Sequence, residues 1–311
     1  MDQTSTTSDQ PSASVIGDRN EVVKLFVREL TVLDYAYFDS ERGVLGGSLD
    51  VDVTFVGLLD HEGVVFDFSL AKKAVKRVID DLCDHRLVLP KKYVRSIEAG
   101  RVEVDAIYGK GNQLLYQCPE EGLCLLEAED YSLAAMRSYL MTEVMKAMPE
   151  NVDRVELDFR DEDLGEAPHY RYTHGLKQHY GNCQRLLHGH RNRVDVFIDG
   201  QRETSLESRV CDFWKDVHLG FPENIIESHH KVGSRQDDLE SITLDYTSTQ
   251  GKFTLTLPGK AVYVMPYETT VENISRHLRD MVQEWVGSER HVEVFAYEGI
   301  RKGSRSSTLE D

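Results

Sequence analysis

Long apolar runs, paired cysteines and an excess of basic residues are all missing from this sequence of 311 residues. No apolar run has the length that a bilayer-spanning helix requires, so no membrane association is expected. The N-terminus has neither the basic start nor the apolar stretch of a secretory signal. The five cysteines are odd in number and include no CxxC pair, which predicts free thiols in a cytoplasmic protein rather than a disulfide framework.

Acidic residues dominate the charge balance. The chain carries 36 Lys and Arg against 54 Asp and Glu, a formal net charge of −18. Nucleic acids and anionic membranes both attract basic surfaces, so neither is an expected partner. Cations are nevertheless concentrated in one segment, at Lys177, Arg185, Arg191 and Arg193. They either guide a small anionic substrate or are ordinary solvated charges at strand ends.

A similar order of motifs occurs twice along the chain, which predicts an internal duplication. Residues 49–57 and 192–200 both read as strands in which Val-Asp-Val is followed by Gly. An Asp-Phe pair follows each strand, at Asp67 in the first copy and at Asp212 in the second. The two copies predict two domains of ordinary size.

The predicted domains span residues 21–167 and 168–302, and the polar ends at 1–20 and 303–311 are expected to be a disordered and a flexible tail. Each copy has the order strand, strand, helix, strands, helix, strand, and such sequential strands predict an α+β fold, in which each domain is an antiparallel sheet with helices packed on one face. Helical spacing of apolar residues occurs at 71–82, 131–148 and 271–286, and short strands are expected at 152–159 and 291–297.

Histidines are concentrated around a His-Gly-His run. Residues two apart on a strand point to the same face, so His188 and His190 are expected to project together, with Gly189 leaving room between them. A third imidazole would complete a three-nitrogen site with one open position, the pattern of catalytic zinc. His174 is the preferred third ligand, and His179 is the alternative. Imidazoles also bind other divalent ions, so zinc is a preference.

These residues resemble the family of 6-pyruvoyltetrahydropterin synthases and 6-carboxytetrahydropterin synthases. The resemblance lies in His174, in Cys183 and in the run Leu187-His188-Gly189-His190. The segment Thr270-Val271-Glu272-Asn273 is similar to the family's Thr-x-Glu-Asn helix opening, which implies that Thr270 and Glu272 contact substrate. The alternating strand that ends at Glu298 implies that Glu298 anchors the pterin ring.

The resemblance implies a zinc-dependent lyase built of two tandem tunnelling-fold (T-fold) domains that acts on 7,8-dihydroneopterin triphosphate. In such an enzyme Zn²⁺ is held by three histidines, Cys183 is the base, and an Asp-His pair relays protons. Asp84 and His85 are similar to that pair. The family's active sites lie at subunit interfaces, so a homo-oligomer, either a dimer or a trimer, is implied.

The two copies depart from the family in complementary ways. The first copy has Leu45-Gly46-Gly47 where the second has His188-Gly189-His190, so the first is a degenerate domain without metal ligands. The first copy keeps Asp84-His85, whereas the comparable place in the second reads Ser228-His229. One kind of site with pieces from both copies is therefore expected, with His229 as a fallback.

Several functional alternatives stay open at this stage. The product expected is 6-carboxytetrahydropterin, on the pathway to queuosine, with 6-pyruvoyltetrahydropterin synthesis as the second candidate. A non-catalytic pterin-binding or metal-binding protein is the third candidate. Residues 91–127 form an insertion that 231–268 loosely match, and the sequence does not say whether these segments cap the site.

Overall fold

The structure, a computed structural model, describes residues 22–309, so the predicted tail at 1–20 lies outside the described residues. The strands are β1 (Val22–Asp39), β2 (Gly43–Leu58), β3 (Leu87–Pro90), β4 (Val94–Glu98), β5 (Arg101–Tyr108), β6 (Asn112–Pro119), β7 (Leu123–Leu126), β8 (Val152–Arg160), β9 (His169–His174), β10 (His188–Ile198), β11 (Gln201–Arg202), β12 (Val217–Gly220), β13 (Ser234–Arg235), β14 (Ser241–Ser248), β15 (Gly251–Pro258), β16 (Val262–Val264), β17 (Val292–Tyr297) and β18 (Gly303–Ser307). The helices are α1 (Phe68–Leu82), α2 (Leu133–Met145), α3 (Thr204–Phe213) and α4 (Val271–Val286).

Two of the three sheets share one strand order. The sheet of the N-terminal half, residues 22–160, runs β7-β3-β1-β2-β8. The sheet of the C-terminal half, residues 169–309, contains the same order as β16-β12-β9-β10-β17, with β13 and β18 added at its two edges. In each half a helix follows the second strand and another precedes the last shared strand. The fold class is therefore α+β, as the sequence predicts.

Both sheets are mixed, which corrects the expectation of antiparallel sheets. β3 pairs with β1 and with β7 in parallel, and β12 pairs with β9 and with β16 in the same way. An alternating pattern cannot distinguish parallel from antiparallel neighbours, because both pairings place alternate side chains on opposite faces. The expected flexible tail at 303–311 is also corrected in part, since Gly303–Ser307 forms β18 and pairs with β17.

Each pair of helices covers one face of its own sheet. Asp67 caps α1 by accepting bonds from the backbone of Ser69 and Leu70, and Thr270 caps α4. The helix predicted at 271–286 has those bounds in the structure. Apolar faces of α1 and α2 pack on β1, β2 and β8, and those of α3 and α4 pack on β9, β10 and β17. Among residues 22–309 no helix is both long and apolar enough to cross a bilayer.

The third sheet is built by both halves, in the order β14-β15-β6-β5-β4. These strands lie in the two insertions, residues 91–127 and 231–268. The halves meet where β15 pairs with β6, with Leu255 opposite Tyr116. One face of this sheet contributes to a buried apolar cluster that also contains Leu87 and Val262 from the other two sheets and Leu187 from the loop before β10. The insertions thus join the halves into one core.

The Asp-Phe pairs do not occupy equivalent places, contrary to the sequence prediction. Asp67 precedes the first turn of α1, whereas Asp212 lies in the last turn of α3, which begins at Thr204. The structural counterpart of His85 is Asp216. Both residues have positive φ, 54° and 57°, and each lies just before the parallel strand that follows its helix. Ser228 and His229 are exposed residues beyond β12.

Two glycines allow the halves to cross at close range. A Cβ atom on Gly189 would lie 2.8 Å from the Cα atom of Gly46, which is closer than real Cβ atoms approach another atom. A Cβ atom on Gly46 would overlap the carbonyl oxygen of Tyr172 and the backbone of His190. β2 therefore lies directly against β9 and β10 at this point, and only glycine fits there.

We predict that Gly46→Ala lowers the free energy of unfolding by about 3 kcal/mol, because its methyl group meets rigid backbone rather than mobile side chains. Chemical denaturation of the purified variant measures this loss. Gly220→Ala is the matched control, since its Cβ atom would meet only the ends of side chains, the nearest being that of Leu244 at 3.2 Å. Equal stability of the two variants would contradict the close crossing.

Candidate functional site

Three buried histidines converge between β9 and β10. His188 lies directly opposite His174 in the strand pairing, and His190 lies two residues further along β10. Ligand atoms of the three side chains all lie within 4.8 Å of one another. The Nε2 atoms of His174 and His190 are 3.2 Å apart. The structure therefore brings together the three predicted ligands, while the metal itself stays a prediction.

Two of the three rings have their outer nitrogen held by a backbone acceptor. Nδ1 of His174 lies 3.0 Å from the carbonyl oxygen of Thr269, and Nδ1 of His188 lies 2.9 Å from that of Arg185. Carbonyl oxygens only accept, so these contacts favour a proton on Nδ1 and a free lone pair on Nε2 in His174 and His188. Nδ1 of His190 lies 3.2 Å from Oδ1 of Asp34, an ionic contact that lacks hydrogen-bond geometry.

This arrangement fits a metal ion. Nε2 of His188 is buried without a hydrogen-bond partner in the described structure, and a buried polar atom of that kind calls for an explanation. The Nε2 atoms of His174 and His190, 3.2 Å apart, need either a proton on one of them or a cation between them. Burial, followed by neighbouring imidazoles, holds the pKa values of His174 and His188 well below the ordinary value. Neutral imidazoles are the form that binds metals.

The alternative ligand, His179, does not reach this cluster. Its side chain is exposed, and Nδ1 lies 3.1 Å from the carbonyl oxygen of Tyr180. The structure therefore supports His174 as the third residue of the cluster. His174 is placed by β9, whereas His179 lies in the loop that leads to β10.

An acid–imidazole pair from the N-terminal half faces the histidines of the C-terminal half. Oδ2 of Asp84 lies 2.6 Å from Nδ1 of His85. Ligand atoms of His85, Cys183 and His188 form a second group within 4.8 Å of one another. Burial alone lowers the pKa of His85, but its contacts with Asp84 and Cys183 outweigh burial and raise that pKa to about 10. The predicted catalytic residues thus meet within one chain.

Glu298, one of the three predicted substrate contacts, lies near Tyr172, whose ring adjoins those of His174 and His190. It is half-buried just after β17, and its charge raises the pKa of buried Tyr172, which burial raises most. Thr270 caps α4 by accepting from Asn273, and Glu272 is exposed on the first turn of that helix. Among the described contacts, neither side chain reaches the histidines. Their substrate role stays a prediction.

The cations expected to guide an anion are divided between two places. Arg185 is buried beside the cluster and donates to the carbonyl oxygen of Asp84 at 3.0 Å. Arg191 and Arg193 are on the opposite face of β10, where they contact Asp161 and Asp195. Lys177 lies in the loop after β9.

Sequence reasoning missed a carboxylate that supports the cluster from the other half. Asp34 on β1 is 2% exposed, accepts from Oγ of Ser48 at 2.5 Å and lies 3.0 Å from Nζ of Lys302. Burial opposes its ionisation, but His190, Lys302 and Ser48 hold its pKa well below the ordinary value. No local pattern marks Asp34, because its partners are distant in sequence.

Part of this chain is similar to known proteins. Residues 164–305 match the family model described as 6-pyruvoyl tetrahydropterin synthase. A protein of Pyrococcus horikoshii described as "putative 6-carboxy-5,6,7,8-tetrahydropterin synthase" is 19% identical over 125 residues, which cover 40% of this chain and 73% of that protein. The 6-pyruvoyl tetrahydropterin synthase structure from Plasmodium falciparum is 20% identical and covers 45% of this chain and 91% of its own, with a TM-score of 0.36.

The corresponding structure from Plasmodium vivax is 17% identical and covers 45% of this chain and 99% of its own, with a TM-score of 0.34. The matched segment contains the histidine cluster, Cys183 and Glu298. The resemblance to the 6-pyruvoyl tetrahydropterin synthase family is thus confirmed for residues 164–305. The pair Asp84–His85 and the carboxylate of Asp34 lie outside that segment, in the N-terminal half.

We predict that Asp34→Asn weakens Zn²⁺ binding about 10-fold to 100-fold, because the ring of His190 loses its charged support. Competition with a chromophoric chelator measures the affinity without any assay of activity. Asp52→Asn is the matched control, since Asp52 is also buried and ion-paired, to Arg28 and Arg160. Unchanged Zn²⁺ affinity in a folded Asp34→Asn protein would refute the supporting role.

Proposed function

We propose that this protein is a zinc-dependent pterin synthase, a lyase that acts on 7,8-dihydroneopterin triphosphate. The observation that carries the proposal is the convergence of His174, His188 and His190 with Cys183 and the Asp84–His85 pair. Three imidazoles leave a fourth coordination position open, as catalytic zinc sites do. The resemblance of residues 164–305 to the family supports the same reaction class.

The proposed roles follow from what each residue can do at its position. When bound, Zn²⁺ would polarise the hydroxylated side chain of the pterin and make its carbon-bound protons more acidic. Cys183 acts as the base, and a protonated His85 beside the thiol favours that use of sulfur. Asp84 holds Nδ1 of His85 and fixes the orientation of the ring.

Substrate anchoring is proposed for three residues. Glu298, as an ionised carboxylate, accepts hydrogen bonds from the amino group and ring nitrogen of the pterin. Its place after β17, near Tyr172, supports this role. Thr270 and Glu272 are proposed to contact substrate only by resemblance to the family motif.

The proposed product is 6-carboxytetrahydropterin, on the pathway to queuosine. The description of the Pyrococcus horikoshii relative supports this choice. The Plasmodium structures are described as 6-pyruvoyl tetrahydropterin synthases, so the pyruvoyl product is the second candidate. A protein that binds pterin and metal without turnover is the third.

The wider organisation is part of the same proposal. The shared strand order of residues 22–160 and 169–309 supports a tandem pair of T-fold domains, for which we keep the bounds 21–167 and 168–302. A homo-oligomer in the cytoplasm, with a pterin as the ligand and no nucleic acid or membrane partner, is proposed on the same family grounds and on the net charge of −18.

We predict that the zinc-loaded protein converts 7,8-dihydroneopterin triphosphate and that Cys183→Ala lowers kcat about 10²-fold to 10⁴-fold, the usual contribution of a general base. Mass spectrometry of the product separates the carboxy from the pyruvoyl outcome. Cys211→Ala is the control, because Cys211 lies on α3, away from the histidines. Undiminished turnover by Cys183→Ala would exclude it as the base, and tight pterin binding without product would favour the non-catalytic candidate.

We also predict that Asp84→Asn and His188→Ala do not complement each other. The two groups meet within one chain, so a mixed oligomer of the two variants contains no intact site. Co-expression with two different affinity tags and sequential purification yields such oligomers for assay. Recovered activity, with at least one intact site in each mixed oligomer, would show instead that the site forms between chains.

A further inference from the structure

The N-terminal half contains a metal-free counterpart of the histidine cluster. The strand pairings correspond one to one: Tyr37 opposes Leu45 in the first half as His174 opposes His188 in the second. Gly47 then corresponds to His190. Tyr131, the residue before the N-cap of α2, corresponds to Thr269, the residue before the N-cap of α4.

Aromatic rings fill the space that the imidazoles occupy in the other half. The rings of Tyr37 and Tyr131 stack with centroids 4.3 Å apart, and the hydroxyl oxygens of Tyr35 and Tyr131 are 2.6 Å apart. The contact between Tyr131 and Tyr37 replaces the one between Thr269 and His174. No metal-binding group occurs here among the described residues, yet the geometry of the place is retained.

The opposite wall of this counterpart also follows the pattern of the histidine site. Asp216 is the structural equivalent of His85. Arg42, from the turn between β1 and β2, contacts Asp216, and Cys183, from the loop between β9 and β10, lies beside His85 in the same way. Arg42 binds the carboxylate of Asp216 through Nε at 3.0 Å and through a terminal nitrogen at 2.6 Å. The charge of Asp216 is therefore already balanced.

A cleft of about 560 Å³ opens at this position. Its lining includes Arg42, Asp216, Arg171, Lys215 and Tyr170. Arg171 donates to a backbone carbonyl, and its guanidinium carbon lies 5.8 Å from the ring centroid of Tyr37. Within residues 22–309, neither Arg171 nor Lys215 has a carboxylate within 4 Å. The hydroxyl of Tyr170 is buried and has no hydrogen-bond partner in the same range.

We infer that this cleft binds the phosphate group of a small molecule. Two cations without acidic partners, Arg171 and Lys215, match the charge of a phosphate dianion. The exposed carboxylate of Asp212 on the rim is the one acidic group of the lining that no arginine balances. In a chain with a net charge of −18, such a locally positive cleft is where an anion is held.

The choice of phosphate over a carboxylate rests on the number and arrangement of the donors. The guanidinium of Arg171 and the ammonium of Lys215 offer several N–H donors, which suits a tetrahedral oxyanion with several acceptor oxygens. The neighbouring ring of Tyr37 is partly exposed and offers an apolar surface to the rest of such a ligand. This inference does not depend on zinc or on the proposed reaction.

Isothermal titration of inorganic phosphate and of pyrophosphate into the full chain tests the inference. We expect saturable binding of one ligand per chain, weakened about tenfold or more in Lys215→Gln, which removes one charged hydrogen bond. Lys72→Gln is the matched control, because Lys72 is equally an exposed lysine, on α1. His188→Ala protein should bind with unchanged affinity, since the cleft lies outside the histidine cluster.

Each contrary result overturns the inference in a distinct way. An equal loss in Lys72→Gln would mean that overall charge alone attracts the anion. Loss of binding in His188→Ala would assign the phosphate to the histidine cluster. Equal affinity for malonate, a planar-ended dicarboxylate, would remove the preference for phosphate.

Discussion

The close crossing of β2 against β10 at Gly46 and Gly189 is the constraint on which the site depends. It brings two strands of different halves to backbone contact, so that a side chain of β1 can touch a residue of β10. Without it, Asp34 would not reach His190. The glycine between the two histidines thus serves the packing of the halves as well as the room between the imidazoles.

The halves contribute different chemistry to one place. The C-terminal half supplies the three imidazoles and the thiol, and the N-terminal half supplies the carboxylates of Asp34 and Asp84 with the imidazole of His85. The buried carboxylates and imidazoles stabilise each other, because a buried charge without a partner is energetically costly. This division explains why the N-terminal half, which has no histidine ligands of its own, still carries buried polar residues that bond to specific partners.

Local patterns were enough to predict α1, α2 and α4, the strands β2, β8, β10 and β17, and the histidine cluster, but not α3 or most of the shorter strands. His188 and His190 share a face because strand side chains alternate, and that rule needs no knowledge of the rest of the chain. Asp34 could not be found in this way, since its role arises from contacts with Lys302 and His190, far away in sequence. The counterpart of His85 was misassigned because the Asp-Phe match at Asp212 is coincidental, falling at the end of α3 rather than before it.

The sheet that both halves build has a consequence for how such a chain can change. β6 and β15 each complete the other's hydrogen bonding, so a half on its own would present a bare strand edge to solvent. Cutting the chain between the halves would therefore release two fragments with exposed, aggregation-prone strand edges. The shared sheet thus favours keeping both halves in one chain, however different their sites become.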